Sequence, residues 1–376
     1  MLDRRRFANL PWGMIGLVCV IALIGLSAVY SATYTVKGPS PLYYKQLLWV
    51  SIGVIIMFLA LIPDYHTVGR YAYLLYAASL FLLILVMVIG RAGMGAQRWL
   101  AIGPFAFQPS ELAKLSLTLA LARYFAEDPK RGGYCLRDLA IPGIMVLIPL
   151  VFVLKQPDLG TALMLILTSA LIVMIAGLRI RSAFIMILSG AIIISAVFLV
   201  SPVRNRIWGS LKPYQQNRIR AFIDPGSDPL GSGYHANQSK IAVGSGQITG
   251  KGFRKGTQSQ MAFLPERHTD FIFAVIAEER GFIGTGIMIL LYLILLLIGV
   301  DAAKNAKDRL GVLMASGIVS MISLYVFINV GMAVGIVPVV GVPLPLVSYG
   351  GTSIITTFIA LGLLLNIQTR RFMLFY

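Results

Sequence analysis

Ten apolar blocks recur along this chain, near residues 13–32, 46–62, 71–90, 108–126, 139–155, 159–177, 182–200, 271–299, 310–334 and 351–368. A helix rises 1.5 Å per residue, so roughly 20 apolar residues cross a hydrocarbon core of about 30 Å. The pattern predicts an all-α fold: a polytopic membrane protein of about ten transmembrane helices, forming one domain over 1–376. A large extracytoplasmic loop, 201–269, separates helices 7 and 8. Composition agrees, since 57% of residues are apolar and only 12% are Asp, Glu, Lys or Arg, about half the charge of a soluble domain. A mean hydropathy of +0.82 excludes water as the main solvent. The first block follows Arg4-Arg5-Arg6 but outruns the roughly 7–15 residues of a signal-peptide core, which makes it an uncleaved first helix.

Orientation follows from Lys and Arg near the helix ends. With the N-terminus inside, fifteen of them fall in cytoplasmic segments, against Lys37, Lys45, Arg91, Arg98 and Lys155 in short outside loops. An even helix count then places both termini in the cytoplasm. The basic 201–269 loop lands outside, but it is longer than the loops that obey the positive-inside rule. Its Trp208, Tyr214, Phe222, Phe253 and Phe263 recur among bases, which suits a segment lying along the membrane surface. The formal charge of +17 is spread between apolar blocks, not gathered in a stripe. It points to anionic headgroups and a phosphorylated substrate, with no nucleic acid as partner. Cys19 and Cys135 imply no disulfide.

Ionisable groups at membrane depth are costly and mark function by default. Glu111 and Lys114 open the fourth block at i, i+3 spacing and can pair on one helix face. They read either as a neutralised structural pair or as a pair that also touches substrate. Asp158 stands where the sixth helix begins, a position that suits an N-cap. The densest cluster is Leu264-Pro-Glu-Arg-His-Thr-Asp-Phe-Ile-Phe273, followed by Glu278-Glu-Arg-Gly281. Counting about 20 residues back from Asp301 ends the core-spanning helix near Gly281. Asp270 is either an N-cap or, half-desolvated beside His268, a carboxylate raised toward general-base range. Gly244–Lys251 misses the phosphate-loop spacing, so the chain carries no intact ATP site, and three scattered histidines offer no metal set. The Gly/Pro-rich run 335–353 reads as a rigid re-entrant turn or a substrate contact.

Taken together, Gly95-Ala-Gln-Arg-Trp-Leu100, Gln108-Pro-Ser-Glu111 with Lys114, Gln156-Pro-Asp-Leu-Gly-Thr161, Gly246 to Gly252, the 264–273 cluster and Pro343-Leu-Pro-Leu-Val-Ser-Tyr-Gly-Gly-Thr352 resemble the SEDS family (shape, elongation, division and sporulation). Short tails and Asp224-Pro-Gly-Ser-Asp-Pro-Leu-Gly231 are more similar to its elongation members than to its division members. Arg280 departs from the Leu usual in the family after the paired glutamates. The resemblance implies a peptidoglycan glycosyltransferase that polymerises lipid II at the outer face of the cytoplasmic membrane, serving cell elongation and rod shape. It implies a class B penicillin-binding protein and other elongation-complex membrane proteins as partners. By the same resemblance Asp270 is the essential carboxylate, supported by Glu111, Lys114 and Asp158, with Glu266 and His268 beside it.

That chemistry suits the residues. One base activates a sugar hydroxyl for in-line, inverting attack, and cations stabilise the departing polyprenyl pyrophosphate. Lys114, Arg98, Arg218, Arg220 and Lys240 are candidates for the second task. No cofactor is evident, although a divalent metal such as Mg can assist the pyrophosphate. A lipid II flippase is the rival reading, since it too needs many helices and intramembrane charge. However, a flippase needs a polar path through the midplane, and here the carboxylates gather at one face. A scaffold that only recruits the penicillin-binding protein leaves the cost of Glu111, Lys114 and Asp270 without return.

Overall fold

A computed structural model describes residues 10–34, 38–93, 96–103, 105–199, 209, 216, 220, 232–260, 263–264 and 266–371. The helices are α1 (Trp12–Thr33), α2 (Pro41–Leu59), the short α3 (Tyr65–Arg70), α4 (Ala72–Ile89), α5 (Pro109–Glu127), α6 (Ala140–Lys155), α7 (Leu159–Gly177) and α8 (Ile180–Leu199). Further along the chain come α9 (Ser232–Ser245), the single turn α10 (Thr257–Gln260), α11 (Ile272–Lys304), α12 (Arg309–Val334) and α13 (Gly351–Arg370). Each predicted block holds a helix, and among the described residues eight helices are long and apolar enough to cross a membrane. The fourth block, α5, falls below that standard because of its charges. The seventh block holds α8, a helix of 20 residues.

Two departures from the expected pattern have local causes. The second helix begins at Pro41, not 46, because Ser40 caps it and Pro41 suits the first helical turn. Between α4 and α5, strands β1 (Arg91–Gly93), β2 (Ala96–Ile102) and β3 (Phe105–Phe107) form a small antiparallel sheet in the order β1-β2-β3, so the all-α expectation misses one element. Gly103, at φ +61, supplies the turn between β2 and β3.

The helices α12 and α13 form the interior, with 67% and 78% of their most apolar windows buried, against 22% for α2 and α4. Lipid tails are as apolar as leucine, so close packing of small residues, not water exclusion, holds such helices together. Gly317 of α12 lies against Thr118 of α5 and Ile172 of α7, where a Cβ would come within 2.6 Å of the threonine methyl. Gly362 of α13 likewise meets Met57 of α2 and Ala60 just beyond its end.

Polar contacts collect at the two ends of the bundle. At one end Tyr65 donates to Asp308, Arg370 pairs with Asp64, and Arg309 donates to the carbonyls of Phe125 and Ala176 at two helix C-termini. A cleft of about 450 Å³ opens there between His66, Arg70, Arg123 and Arg309. The opposite end, where α1 and α12 finish and α2, α5 and α7 start, holds the residues marked by the sequence.

Candidate functional site

The site is built on a broken helix. α11 carries a non-helical residue, Gly281, at φ 63 and ψ −163, which divides a buried nine-residue piece, 272–280, from the long span beyond it. A break leaves backbone groups without helical partners, and these must be met elsewhere. The Gly246–Gly252 segment meets them: Lys251 N and Gly252 N donate to Glu278 O and Glu279 O, while Phe282 N and Ile283 N donate to Gln247 O and Ile248 O. The contact is backbone to backbone, so a Cβ on Gly281 would stand 2.3 Å from Gly250 N. This is the role of the glycines that look like a phosphate loop in the sequence.

The paired glutamates serve the same joint. Glu278, fully buried, accepts from Lys251 Nζ at 2.8 Å, Gln258 N at 2.8 Å and Ser259 N at 3.0 Å, and so caps α10. Glu279 accepts from Ser31 Oγ of α1, and Arg280 donates to Ser27 Oγ at 2.8 Å. Glu278 is therefore committed inside the protein and is no reserve base.

Before the broken helix, the 266–271 segment is held by its carbonyls. Tyr349 N donates to His268 O at 2.8 Å, Ser348 Oγ to Thr269 O at 2.6 Å, and Asn329 Nδ2 to Asp270 O at 2.9 Å. Gln46 of α2 donates to Ser348 O at 3.1 Å, which binds the Gly/Pro-rich run from the other side. Two non-glycine residues in these facing segments, Glu266 at φ 48 and Leu346 at φ 65, adopt the left-handed conformation. Such strain costs about 1–3 kcal/mol per residue and gathers at functional sites. Asp270 itself is half-buried. Burial pushes the His268 imidazole below its usual pKa, with the Glu266 charge opposing and the Arg267 charge adding to the fall. The ring is thus neutral near pH 7, its centroid 5.7 Å from that of Tyr349.

Beside this segment, Lys114 Nζ stands 2.6 Å from Glu111 Oε1, and Tyr325 OH donates to Glu111 Oε2 at 2.9 Å. Asp158 accepts from Thr161 N at 3.1 Å as an N-cap, and also from Thr161 Oγ1 and from Gln108 Nε2 at 3.2 Å. Gln108 N in turn donates to Thr352 Oγ1 at the start of α13. The motifs 108–111, 156–161 and 343–352, distant in sequence, thus meet at one end of the bundle.

The cationic candidates separate. Arg98 donates to Gln156 O at 2.8 Å and to Pro157 O, so it braces a turn in this structure, although the sequence suggests a pyrophosphate ligand. Lys114 is buried in its pair. Lys240 is exposed on α9, with its stem against Gly335, and Arg220 is exposed as well. Arg218 lies outside the described residues, as do Trp208, Tyr214 and Phe222. Among the described residues, no three His, Cys, Asp or Glu side chains gather as a metal site. Tyr325, Asn329 and Ser31 were missed by sequence reasoning. A lone amide inside an apolar block is the signal that would have found Asn329.

Residues 7–372 match the family described as "Cell cycle protein" (FtsW/RodA/SpoVE). The chain is 41% identical to peptidoglycan glycosyltransferase MrdB of Escherichia coli (strain K12), over 95% of this chain and 94% of that one. It is 33% identical to peptidoglycan glycosyltransferase RodA of Treponema pallidum (strain Nichols), over 94% and 97% of the two chains. Among solved structures, a chain from work on the structural coordination of polymerization and crosslinking by a peptidoglycan synthase complex matches with a TM-score of 0.81 at 35% identity, covering 96% of this chain and 98% of that one. Rod shape determining protein RodA of Thermus thermophilus matches with a TM-score of 0.68 at 31% identity, covering 97% and 98%.

Proposed function

The chain belongs to the FtsW/RodA/SpoVE family of cell cycle proteins, and from that premise we infer that this multi-pass membrane protein is a peptidoglycan glycosyltransferase that polymerises lipid II, with Asp270 as its base. The acceptor is a sugar hydroxyl of one lipid-linked unit, and the donor is a glycan joined through pyrophosphate to a polyprenyl lipid. Asp270 accepts the hydroxyl proton as the new glycosidic bond forms at the anomeric carbon. The bond from that carbon to the pyrophosphate oxygen breaks, and polyprenyl pyrophosphate departs with the electron pair. No acid is needed for a leaving group already this stable, so one carboxylate suffices.

The observation that carries this reading is the grip on three successive carbonyls, His268 to Asp270, beside a half-buried carboxylate. A base must stand within hydrogen-bond reach of its proton, so a fixed main chain is what the chemistry requires. Exposed Lys240 and Arg220 suit the pyrophosphate. Glu111, Lys114 and Asp158 support the floor of the site. The polymerising end faces outward in the cytoplasmic membrane, and both termini face the cytoplasm. A penicillin-binding protein supplies the crosslinking, as the likeness to a synthase complex supports.

The test is glycan polymer made from lipid II by purified wild type and Asp270→Asn, each with its partner. Asn caps helices about as well as Asp but takes up no proton. A base predicts near-complete loss of polymer with lipid II binding retained. Substantial polymer from the Asn variant sinks the assignment and leaves Glu266 as the next carboxylate.

A further inference from the structure

Of the three donors that hold the 268–270 carbonyls, two lie on the irregular 335–350 run. The third, Asn329, lies on α12, inside the bundle and with no exposed surface. Its amide nitrogen gives one N–H to Asp270 O at 2.9 Å and the other to Val342 O at 2.7 Å. Both donors are used, so the network orients the amide: turned over, it would set an oxygen against two carbonyl oxygens. Its own Oδ1 is buried without a partner. A polar group left partly unsatisfied in a helix interior carries a desolvation cost that leucine would avoid, so its return must lie in the two donations. One turn earlier on the same face, Tyr325 bonds Glu111.

We propose that Asn329 is a positioning residue for Asp270, fixing the main chain of that residue to α12 and to Val342 so that its carboxylate meets the acceptor hydroxyl. The inference rests on Asp270 being the base. An aspartate side chain has only two torsions, so a shift of its backbone moves the carboxylate with it. Misplacing a reacting group by about 1 Å lowers rate by about 10²-fold, and substrate binding, which Asn329 does not touch, is left intact.

Asn329→Asp keeps the shape but turns an acceptor toward both carbonyls, whereas Asn329→His retains a ring N–H. The enzyme with its partner is assayed on lipid II for kcat and KM, with thermal unfolding as the check on folding. The expected result for Asn329→Asp is a kcat lower by about 10²-fold at nearly unchanged KM, with part of the loss recovered in Asn329→His. If Asn329→Asp does not fold, Asn329→Ser, neutral and able to donate at most one bond, is measured in its place. Wild-type kcat in a folded variant overturns the proposal. So does a parallel fall in kcat, lipid II binding and stability with His no better than Asp, which would make Asn329 a packing residue. Asp270→Asn is run alongside: polymer from it sinks the base reading, while an inactive Asp270→Asn with a fully active Asn329→Asp sinks only this inference.

Discussion

Lys114 Nζ lies 2.6 Å from Glu111 Oε1, and neither side chain is more than 6% exposed. Breaking a buried pair by removing one partner costs about 3–5 kcal/mol, because a bare charge is left behind, while removing both can be nearly neutral. Glu111→Gln and Lys114→Met, each alone, should therefore lower stability and polymer yield more than the double substitution. Thermal unfolding and polymerisation of the three proteins check it. A double variant that folds yet is as inactive as each single one would give the pair a part in the chemistry.

The joint at Gly281 makes a sharper demand on the chain. Its φ and ψ are open essentially to glycine alone, and a Cβ there meets Gly250 N at 2.3 Å. Gly281→Ala should destabilise the protein by about 3 kcal/mol or more. Gly286→Ala, where nothing stands within 4 Å of an added Cβ, should be neutral or stabilising by a few tenths to about 1 kcal/mol. Melting temperatures of the two variants decide it, and an unchanged value for Gly281→Ala would mean that the helix is not broken there.

Burial lowers the His268 pKa in the folded state. The unfolded chain then binds the proton more readily, so the His268 contribution is present above the unfolded pKa, near 6.5. It is lost as pH falls through that value toward the folded one. Between pH 7.5 and 5, wild type should lose more thermal stability than His268→Gln. Parallel losses in the two proteins would show that the imidazole gains or loses nothing on folding.

The topology is open to single-cysteine labelling in a background lacking Cys19 and Cys135. His66→Cys is expected to face the cytoplasm and Gly244→Cys the outside, and both positions are exposed. An impermeant reagent on intact cells should label only position 244. Labelling of position 66 with none at 244 would invert the orientation.

Much of the architecture is legible in the order of residues alone. Apolar blocks of bilayer length dictate helices wherever they fall, because a helix satisfies its own backbone within one segment. The end of the core-spanning helix near Gly281 follows from length, and Asp158 as an N-cap follows from local preference. The i, i+3 spacing of Glu111 and Lys114 likewise announces their pair. Each of these rests on residues close together in the chain.

What the chain could not announce depends on partners far away in sequence. Gly244–Lys251 reads as a failed phosphate loop until the break at Gly281 supplies unpaired backbone groups that the closely approaching Gly246–Gly252 segment meets. Arg98 reads as a pyrophosphate ligand until the carbonyls at 156–157 consume it. Asn329 and Tyr325 are merely polar residues in an apolar block until Asp270 and Glu111 are set against them. By itself the sequence determined which segments become helices and which polar groups must be accounted for, since periodicity and burial cost are properties of one segment. The tertiary structure alone decided which of those groups are spent on each other and which remain for substrate, because a hydrogen bond belongs to two partners and only packing chooses the second.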